Sequence, residues 1–344
     1  MTDRYQRQTV LPEVGASGQE RLLRSHVLIV GCGGLGGPVA AYLAGAGVGK
    51  ITLVDGDRVE TSNLHRQVFF SGVAGQHKAK ALADHLRGLN DEIEVTVITD
   101  RFGPANMKPL IEEATLVVEC TDDALTKHLI SDGCHLLQVP LVYAAVTKYE
   151  GYVAVFPNEG PQDVHLRDLY PAPDPDLPNC STVGILPTAV GLLALLQANA
   201  ALCYLLQIGE PPVRALLTYS AIDNSQLRVQ LQKSYDKPVS PPWRQETLSL
   251  EDKTTTWGKW DGYDGVFTVM DERQEPNLPE GVQRLGHRNP LSRLDDLTQD
   301  GGTYLVYCAS GLRSMILVSQ LRQRDPKRRV VSLTGGRQGR APTQ

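Results

Sequence analysis

The chain has 344 residues, enough for two domains at roughly 150 residues each. Hydrophobic residues make up 41% and charged residues 21%, values of an ordinary soluble globular chain that exclude a disordered or collagen-like one. A formal net charge of -5 counts against a nucleic-acid binder, which needs a basic surface to displace phosphate counterions.

The polar start MTDRYQRQTV has no apolar signal segment, so a cytoplasmic protein is expected. From residue 26 to 156, short apolar runs alternate with helical ones, the signature of a parallel α/β sheet. Strands are expected at His26–Val30, Lys50–Asp55, Glu94–Thr99, Leu116–Thr121 and Leu141–Val146, with helices starting near Pro38, Gln76, Asn106 and Ala124. A further run, Tyr152–Phe156, follows the tight Glu150-Gly151 pair and suggests that the sheet turns antiparallel. Residues 157–183 are rich in Pro, Asp and Asn and read as a loop. The apolar stretch Gly184–Ile208 is interrupted by Pro187, Gln197, Asn199 and Gln207 and lacks a basic flank, which predicts a core or interface helix and no membrane contact. Lys233–Arg244, with Lys237-Pro238 and Pro241-Pro242, reads as a linker. A first domain over 1–232 and a smaller α/β domain over 245–344 follow from it. The second has strands expected at Val266–Met270, Tyr304–Tyr307 and Val330–Leu333 and a helix at Ser314–Arg324.

After the first strand comes Gly31-Cys32-Gly33-Gly34-Leu35-Gly36, with Asp55 at the end of the next strand. Such a G-x-G-x-x-G loop brings backbone N–H groups to a polyphosphate at a helix N-terminus, and the acid accepts from a ribose hydroxyl. NAD, FAD and ATP all fit that description. Asn63, Arg66, Gln67 and Lys78 follow in SNLHRQ and GQHKAKA. Dinucleotide oxidoreductases rarely need the two cations of this set, Arg66 and Lys78. An anionic carboxylate attacking an anionic triphosphate does need them, to offset repulsion and stabilise charge on the phosphorus oxygens. Asp122, at the carboxyl end of a parallel strand, suits magnesium, which takes one or two carboxylates plus phosphate oxygens, and also suits an N-cap for the helix at Ala124.

With these residues the chain resembles the MoeB/ThiF group of ubiquitin-activating-enzyme-like adenylyltransferases. The resemblance rests on Arg4-Tyr5-Gln6-Arg7-Gln8, GCGGLGGPVAAYLAGAGVG, LVDGD (Leu53–Asp57), SNLHRQ (62–67), GQHKAKA (75–81) and ECTDD (119–123), in the family's order over about residues 4–230. It implies a Rossmann-like mixed sheet with an antiparallel extension and a site that binds ATP and magnesium. In that site Gly31, Gly33, Gly34 and Gly36 form the phosphate loop, Asp55 holds the ribose, and Asp57 and Gln67 belong to the nucleotide pocket. Asn63, Arg66 and Lys78 contact phosphates, and Asp122 binds magnesium. It further implies a homodimer in which Arg7 reaches into the partner's ATP site.

Cys308-Ala309-Ser310-Gly311-Leu312-Arg313-Ser314 lies between a strand and a helix. A loop of this kind turns N–H groups toward a thiolate, which Arg313 and the helix N-terminus favour. It resembles the C-x-x-G-x-R-S active loop of rhodanese-like sulfurtransferases, whose cysteine carries a persulfide, and VMDERQEP and Leu333-Thr334-Gly335-Gly336 add to the likeness. The segment between Glu275 and Leu291 matches poorly, and the tail RQGRAPTQ lacks the usual closing helix.

Of the six cysteines (32, 120, 134, 180, 203, 308), no two form a C-x-x-C pair, which disfavours a disulfide framework and a zinc ribbon. Activating enzymes of this family often hold a structural zinc with two such pairs. Here the first would align with His165-Leu166-Arg167-Asp168 and the second falls in the cysteine-free stretch 230–245, so no structural zinc is expected. Cys180, in NCSTVGIL, matches the position of the family's reactive cysteine, while Cys32, Cys120, Cys134 and Cys203 read as small core residues. The reading is therefore an ATP-dependent adenylyltransferase acting on a ubiquitin-like sulfur-carrier protein ending in Gly-Gly, followed by sulfur transfer to a thiocarboxylate. The alternatives are an NAD-dependent oxidoreductase, which leaves Arg66, Lys78 and Asp122 without a role, and a non-catalytic scaffold that docks a carrier.

Overall fold

The computed structural model describes residues 3–173, 184–243, 251–252, 260, 262–270, 275–286, 290–299, 301–308, 312–325 and 327–333. The chain divides into two compact units, Met1–Pro241 and Pro242–Gln344.

In the first unit the apolar runs form β1 His26–Val30, β2 Lys50–Val54, β3 Glu94–Ile98, β4 Leu116–Glu119 and β5 Leu141–Thr147. All five lie parallel, because apolar side chains on both faces need cover that only crossover helices supply. The expected ends at Asp55, Thr99 and Thr121 run past these strands, and Asp55 and Thr121 work in the loops instead. β6 Glu150–Phe156, β7 Ala215–Ser220 and β8 Gln226–Gln230 extend the sheet antiparallel. The order is β3-β2-β1-β4-β5-β6-β7-β8. The chain leaves β1 in one direction for β2 and returns on its other side as β4, so the crevice between the carboxyl ends of β1 and β4 is a topological switch point, where open α/β sheets bind ligands.

The apolar stretch after residue 184 forms the helix Pro187–Leu206, which has Pro at its start and ends at Gln207 in the left-handed region (φ 58°). By length and composition this helix could cross a membrane. Here Val190, Leu193, Ala194, Gln197, Ala198 and Ala201 recur at three- and four-residue spacing and are buried where the helix packs on β5, β6 and the helix Gly36–Gly45. Gln197 is the polar exception in that face. Its Nε2 donates to the carbonyls of Glu119 (2.7 Å) and Val142 (3.3 Å), tying the helix to neighbouring strands. Gly15–Arg24 adds a helix that the sequence reading did not assign, anchored by fully buried Leu22.

The second unit is a small α/β domain. β9 Glu251–Asp252, β10 Gly265–Thr268, β11 Val282–Arg284, β12 Thr303–Tyr307 and β13 Arg329–Leu333 form one parallel sheet in the order β11-β10-β12-β13-β9. Phe267, Tyr304, Val306 and Val330 pack with Leu317 and Leu321 of the helix Leu312–Arg324, while Val266, Leu305, Tyr307, Cys308 and Leu333 belong to a separate cluster.

Within the expected linker 233–244, the first three residues are bonded to the first unit. Asp168 closes a capping box on the short helix Leu166–Leu169 by accepting from the His165 N–H (2.9 Å) and imidazole (2.8 Å). Its other oxygen accepts from the backbone N–H groups of Ser234 (2.6 Å) and Tyr235 (2.7 Å). Lys233 Nζ donates to the Asp163 carbonyl at 3.0 Å. Arg167 grips Asp132 with two bonds (2.8 and 2.7 Å) and lies 5.5 Å over the Tyr235 ring. Burial alone would raise the Asp168 carboxyl, but the N–H donors of Tyr235, His165 and Ser234 hold it well below its ordinary value. His135 stacks on His165 at 4.2 Å. Burial, with His165 and Lys233 nearby, lowers His135 to about 4, and burial lowers His165 too.

Asp168→Asn turns an amide N–H toward these donors. It should cost about 1–3 kcal/mol, as expected when buried polar groups lose their partners, and should open the Lys233–Ser234 bond to trypsin at neutral pH while wild type resists there. Because the two histidines are neutral when folded and take up protons more readily when unfolded, their contribution is complete above pH 6.5 and is lost as pH falls toward 4. The melting temperature of wild type should therefore drop across that window, and less steeply in His135→Gln.

Candidate active site

The glycine loop lies at the switch point because nothing larger fits. Gly31 has φ of +94°, and a Cβ there would sit 2.6 Å from the Cys120 carbonyl, while one on Gly36 would meet the Gly31 carbonyl at 1.9 Å. The loop is thus pressed against the end of β4 as it turns into the helix Gly36–Gly45. Asp55, just past β2, locks it from the other side: Oδ2 accepts from the Cys32 N–H at 2.7 Å and Oδ1 from the Asp57 N–H at 2.8 Å. Burial raises the Asp55 carboxyl, and Lys78 opposes that rise.

The structure brings the cationic segment over this loop. A Cβ on Gly34 would lie 3.3 Å from the Arg66 carbonyl, and one on Gly33 would lie 3.4 Å from Gln67 Nε2. Gln67 is buried, and its Oε1 has no partner among the described residues. Arg66 donates to the Asn63 side chain at 3.0 Å, which fixes its guanidinium over the 3-10 turn Thr61–Asn63. Lys78, the first residue of the helix Lys78–Leu89, is buried and pairs with Asp57 at 3.1 Å. Burial would lower Lys78, but Asp55, Asp57 and Asp122 raise it above its ordinary value. Burial would raise Asp57, and Lys78 with Arg101 holds it below. Arg101, which no sequence motif singles out, pairs with Asp57 at 2.8 Å.

Asp122 faces this cluster from the end of β4. Its neighbours are pinned, whereas Asp122 has no hydrogen bond among the described residues. Asp123 caps the helix Ala124–Leu137 by accepting from the Thr126 N–H and hydroxyl, both at 2.8 Å, so the capping role considered for Asp122 falls to the next residue. Thr121 is held by Glu119, whose Oε1 accepts from its N–H and hydroxyl, both at 2.6 Å. Asp122 stays exposed, and its charge is felt at Lys78. A single free carboxylate opposite a phosphate-binding loop fits magnesium, which takes one or two protein carboxylates and its remaining ligands from phosphates and water. Among the described residues no group of three or more His, Cys, Asp or Glu side chains is placed to hold a metal by itself.

Arg7 lies on the short helix Gln6–Thr9 and is exposed. Cys308 follows β12 and is buried, with the Ser314 hydroxyl donating to its sulfur at 3.6 Å and bonded to Ser332 at 2.8 Å. Cys180, Ser310 and Gly311 lie outside the described residues, as does the side chain of Arg313. Cys32, within the loop, and Cys120, at the end of β4 against it, are buried, and burial pushes both thiols well above their ordinary range. Cys134 is also buried and pushed up, whereas Cys203, read as a core residue, is only half-buried.

A model of the ThiF family matches residues 5–239. The sulfur carrier protein adenylyltransferase of Thermus thermophilus is 38% identical over 257 residues, which is 72% of this chain and 95% of that one. The SAMP-activating enzyme E1 of Haloferax volcanii is 39% identical over 240 residues, 69% of this chain and 88% of that one. The adenylyltransferase and sulfurtransferase MOCS3 of Sus scrofa is 40% identical over 233 residues, 67% of this chain but 51% of that protein. Among solved structures, E. coli MccB with ATP superposes with a TM-score of 0.59 at 21% identity, covering 68% of this chain and 73% of that one. PaaA gives 0.57 at 22%, covering 67% and 74%. At such identity these two establish the fold. The sheet order, the glycine loop with its carboxylate lock and the match over 5–239 lead to one conclusion: this chain belongs to the ThiF family.

Proposed function

We propose that the protein adenylates the C-terminal glycine of a ubiquitin-like sulfur-carrier protein, at the expense of ATP, and passes sulfur through its second unit to give a thiocarboxylate. The observation that carries this reading is the packing of the Asn63–Gln67 segment onto the glycine loop, with Lys78 and Asp122 facing each other beside it. Hydride transfer has no use for that set of charges.

The carrier's carboxylate attacks the α-phosphorus, forming a new P–O bond while the bond to pyrophosphate breaks. No proton has to move. Arg66 and Lys78 take the charge that grows on the phosphorus and leaving oxygens, and the loop N–H groups hold the phosphates. Asp55 offers its remaining lone pairs to the ribose. Asp122 would hold magnesium with the nucleotide, an ion that supplies neutralisation of phosphate charge when bound. Arg7, exposed and without work in its own subunit, reaches the ATP site of the partner in a cytoplasmic homodimer.

In the second stage a persulfide on Cys308 attacks the acyl carbon with its terminal sulfur, and AMP leaves. A Cys180 thiolate then attacks the Cys308 sulfur, which releases the thiocarboxylate and leaves a Cys180–Cys308 disulfide for an external thiol to reduce. Ser310, Gly311 and Arg313 would complete the loop around the persulfide. The rhodanese-like motif and the relative named as both adenylyltransferase and sulfurtransferase support this stage.

Carrier-dependent exchange of pyrophosphate into ATP should be lost in Asp122→Ala and reduced about 10²–10³-fold in Arg66→Ala, the usual cost of deleting a group that stabilises transition-state charge. Undiminished exchange in Asp122→Ala would remove that residue from its role. Mixing Arg7→Ala with Asp122→Ala chains should restore exchange at one site of each heterodimer, whereas heterodimers that form and stay inactive would refute the shared site. After incubation with thiosulfate, peptide mass mapping should find added sulfur on Cys308. Thiocarboxylate formation at the normal rate in Cys308→Ala would confine the protein to adenylation.

A further inference from the structure

The end of β4 carries a buried ion pair that the adenylation chemistry does not use. Glu119 is 0% exposed, and Lys127, one turn into the helix Ala124–Leu137, extends back to its Oε2. Lys127 Nζ also donates to the Ala144 carbonyl of β5 at 2.9 Å and lies 4.7 Å over the Tyr143 ring. The other Glu119 oxygen carries both bonds to Thr121, and the Glu119 carbonyl is held by Gln197. The Glu119–Lys127 pair thus links the helix, strand β5 and the loop that bears Asp122.

Burying two charges is a poor way to gain stability. Desolvation takes back most of the Coulomb energy, and apolar replacement of such pairs is often neutral or stabilising. Fixing a geometry is the better-founded use. Asp122 has a pinned residue on either side, Thr121 through Glu119 and Asp123 through the helix cap, so its direction is set by those two anchors. Only the Glu119 anchor depends on a charge elsewhere. Without Lys127, burial drives the Glu119 carboxyl to take up a proton on the freed Oε2, which leaves Oε1 a neutral carbonyl oxygen and a weaker acceptor for the two Thr121 donors.

We propose that Lys127, acting through the buried Glu119 carboxylate, is a positioning residue that aims Asp122 at the metal-bound nucleotide. This rests on the adenylation reading. Supports of this kind around a metal-binding carboxylate typically matter 10–100-fold in metal affinity.

The test is calorimetric binding of a non-hydrolysable ATP analogue to the full-length protein, with and without magnesium, beside a thermal melt. Wild type should bind more tightly with magnesium. In Lys127→Met that magnesium-dependent gain should shrink about 10–100-fold while magnesium-free binding stays as in wild type, and Lys127→Arg, which keeps charge and donors, should restore it. If Lys127→Met fails to fold, Glu119→Gln/Lys127→Met leaves no charge buried and should melt near the wild-type temperature, yet still lose the gain. Either folded variant with the full magnesium-dependent gain overturns the proposal. Wild type that binds no nucleotide overturns the adenylation reading instead.

Discussion

Two strand ends in the first unit come closer together than side chains allow. β1 and β4 deliver their loops to the same point, and the contact between Gly31 and the Cys120 carbonyl leaves no room for a Cβ. Sterics at this one place order the site. Once the loop is pressed on β4, it runs straight into the start of the helix Gly36–Gly45, where partial positive charge collects. Asp55 can then reach the Cys32 N–H, and the segment carrying Arg66 can lie across Gly34. A larger residue at position 31 or 36 would separate the strand ends, and every distance that follows would change with them.

Around that contact the charges alternate. Asp55, Lys78, Asp57 and Arg101 run in sequence from the buried loop to the surface, each held partly by the next. Lys78 meets three carboxylates and stays protonated despite burial. The arrangement keeps a cation in a poorly solvated place, where it acts on nearby negative charge more strongly than it would in water. Its cost is spread over several pairs and does not fall on one desolvated ion.

What could be read from the sequence was what recurs at short range. The five parallel strands were visible as apolar runs, and the glycine loop as a spacing of six residues. The sheet's change to antiparallel was visible in the apolar run Tyr152–Phe156, but the turn itself lies at Lys148-Tyr149, and Glu150-Gly151, read as the tight pair, already belong to β6 and pair with β5. What could not be read depends on distance along the chain. Arg101 reaches Asp57 from 44 residues away, and nothing local to either one announces it. Lys127 and Glu119 are eight residues apart, but their meaning comes from β5, which lies beyond both. Gln197 illustrates the middle case: as a lone amide in an apolar run it was evidence about solubility, and its actual use, capping carbonyls of β4 and β5, needed the packed helix. β8 escaped notice because Leu227 and Val229 are exposed, so its alternation marks no core. The capping of the helix at Ala124 was foreseen but assigned one residue early, since adjacent aspartates look alike until their neighbours are placed.

The buried thiols of Cys32, in the glycine loop, and of Cys120, against it, are held in the protonated form by lack of solvent and by nearby carboxylates. In an enzyme of the proposed kind this matters for chemical selectivity. Sulfane sulfur migrates to whatever thiolate it meets, and an adduct on either thiol would swell a site that has no space for one extra atom. Under the proposed function, withholding the thiolate form keeps these two positions inert to the persulfide that Cys308 would carry, so the two chemistries need no further separation along the chain.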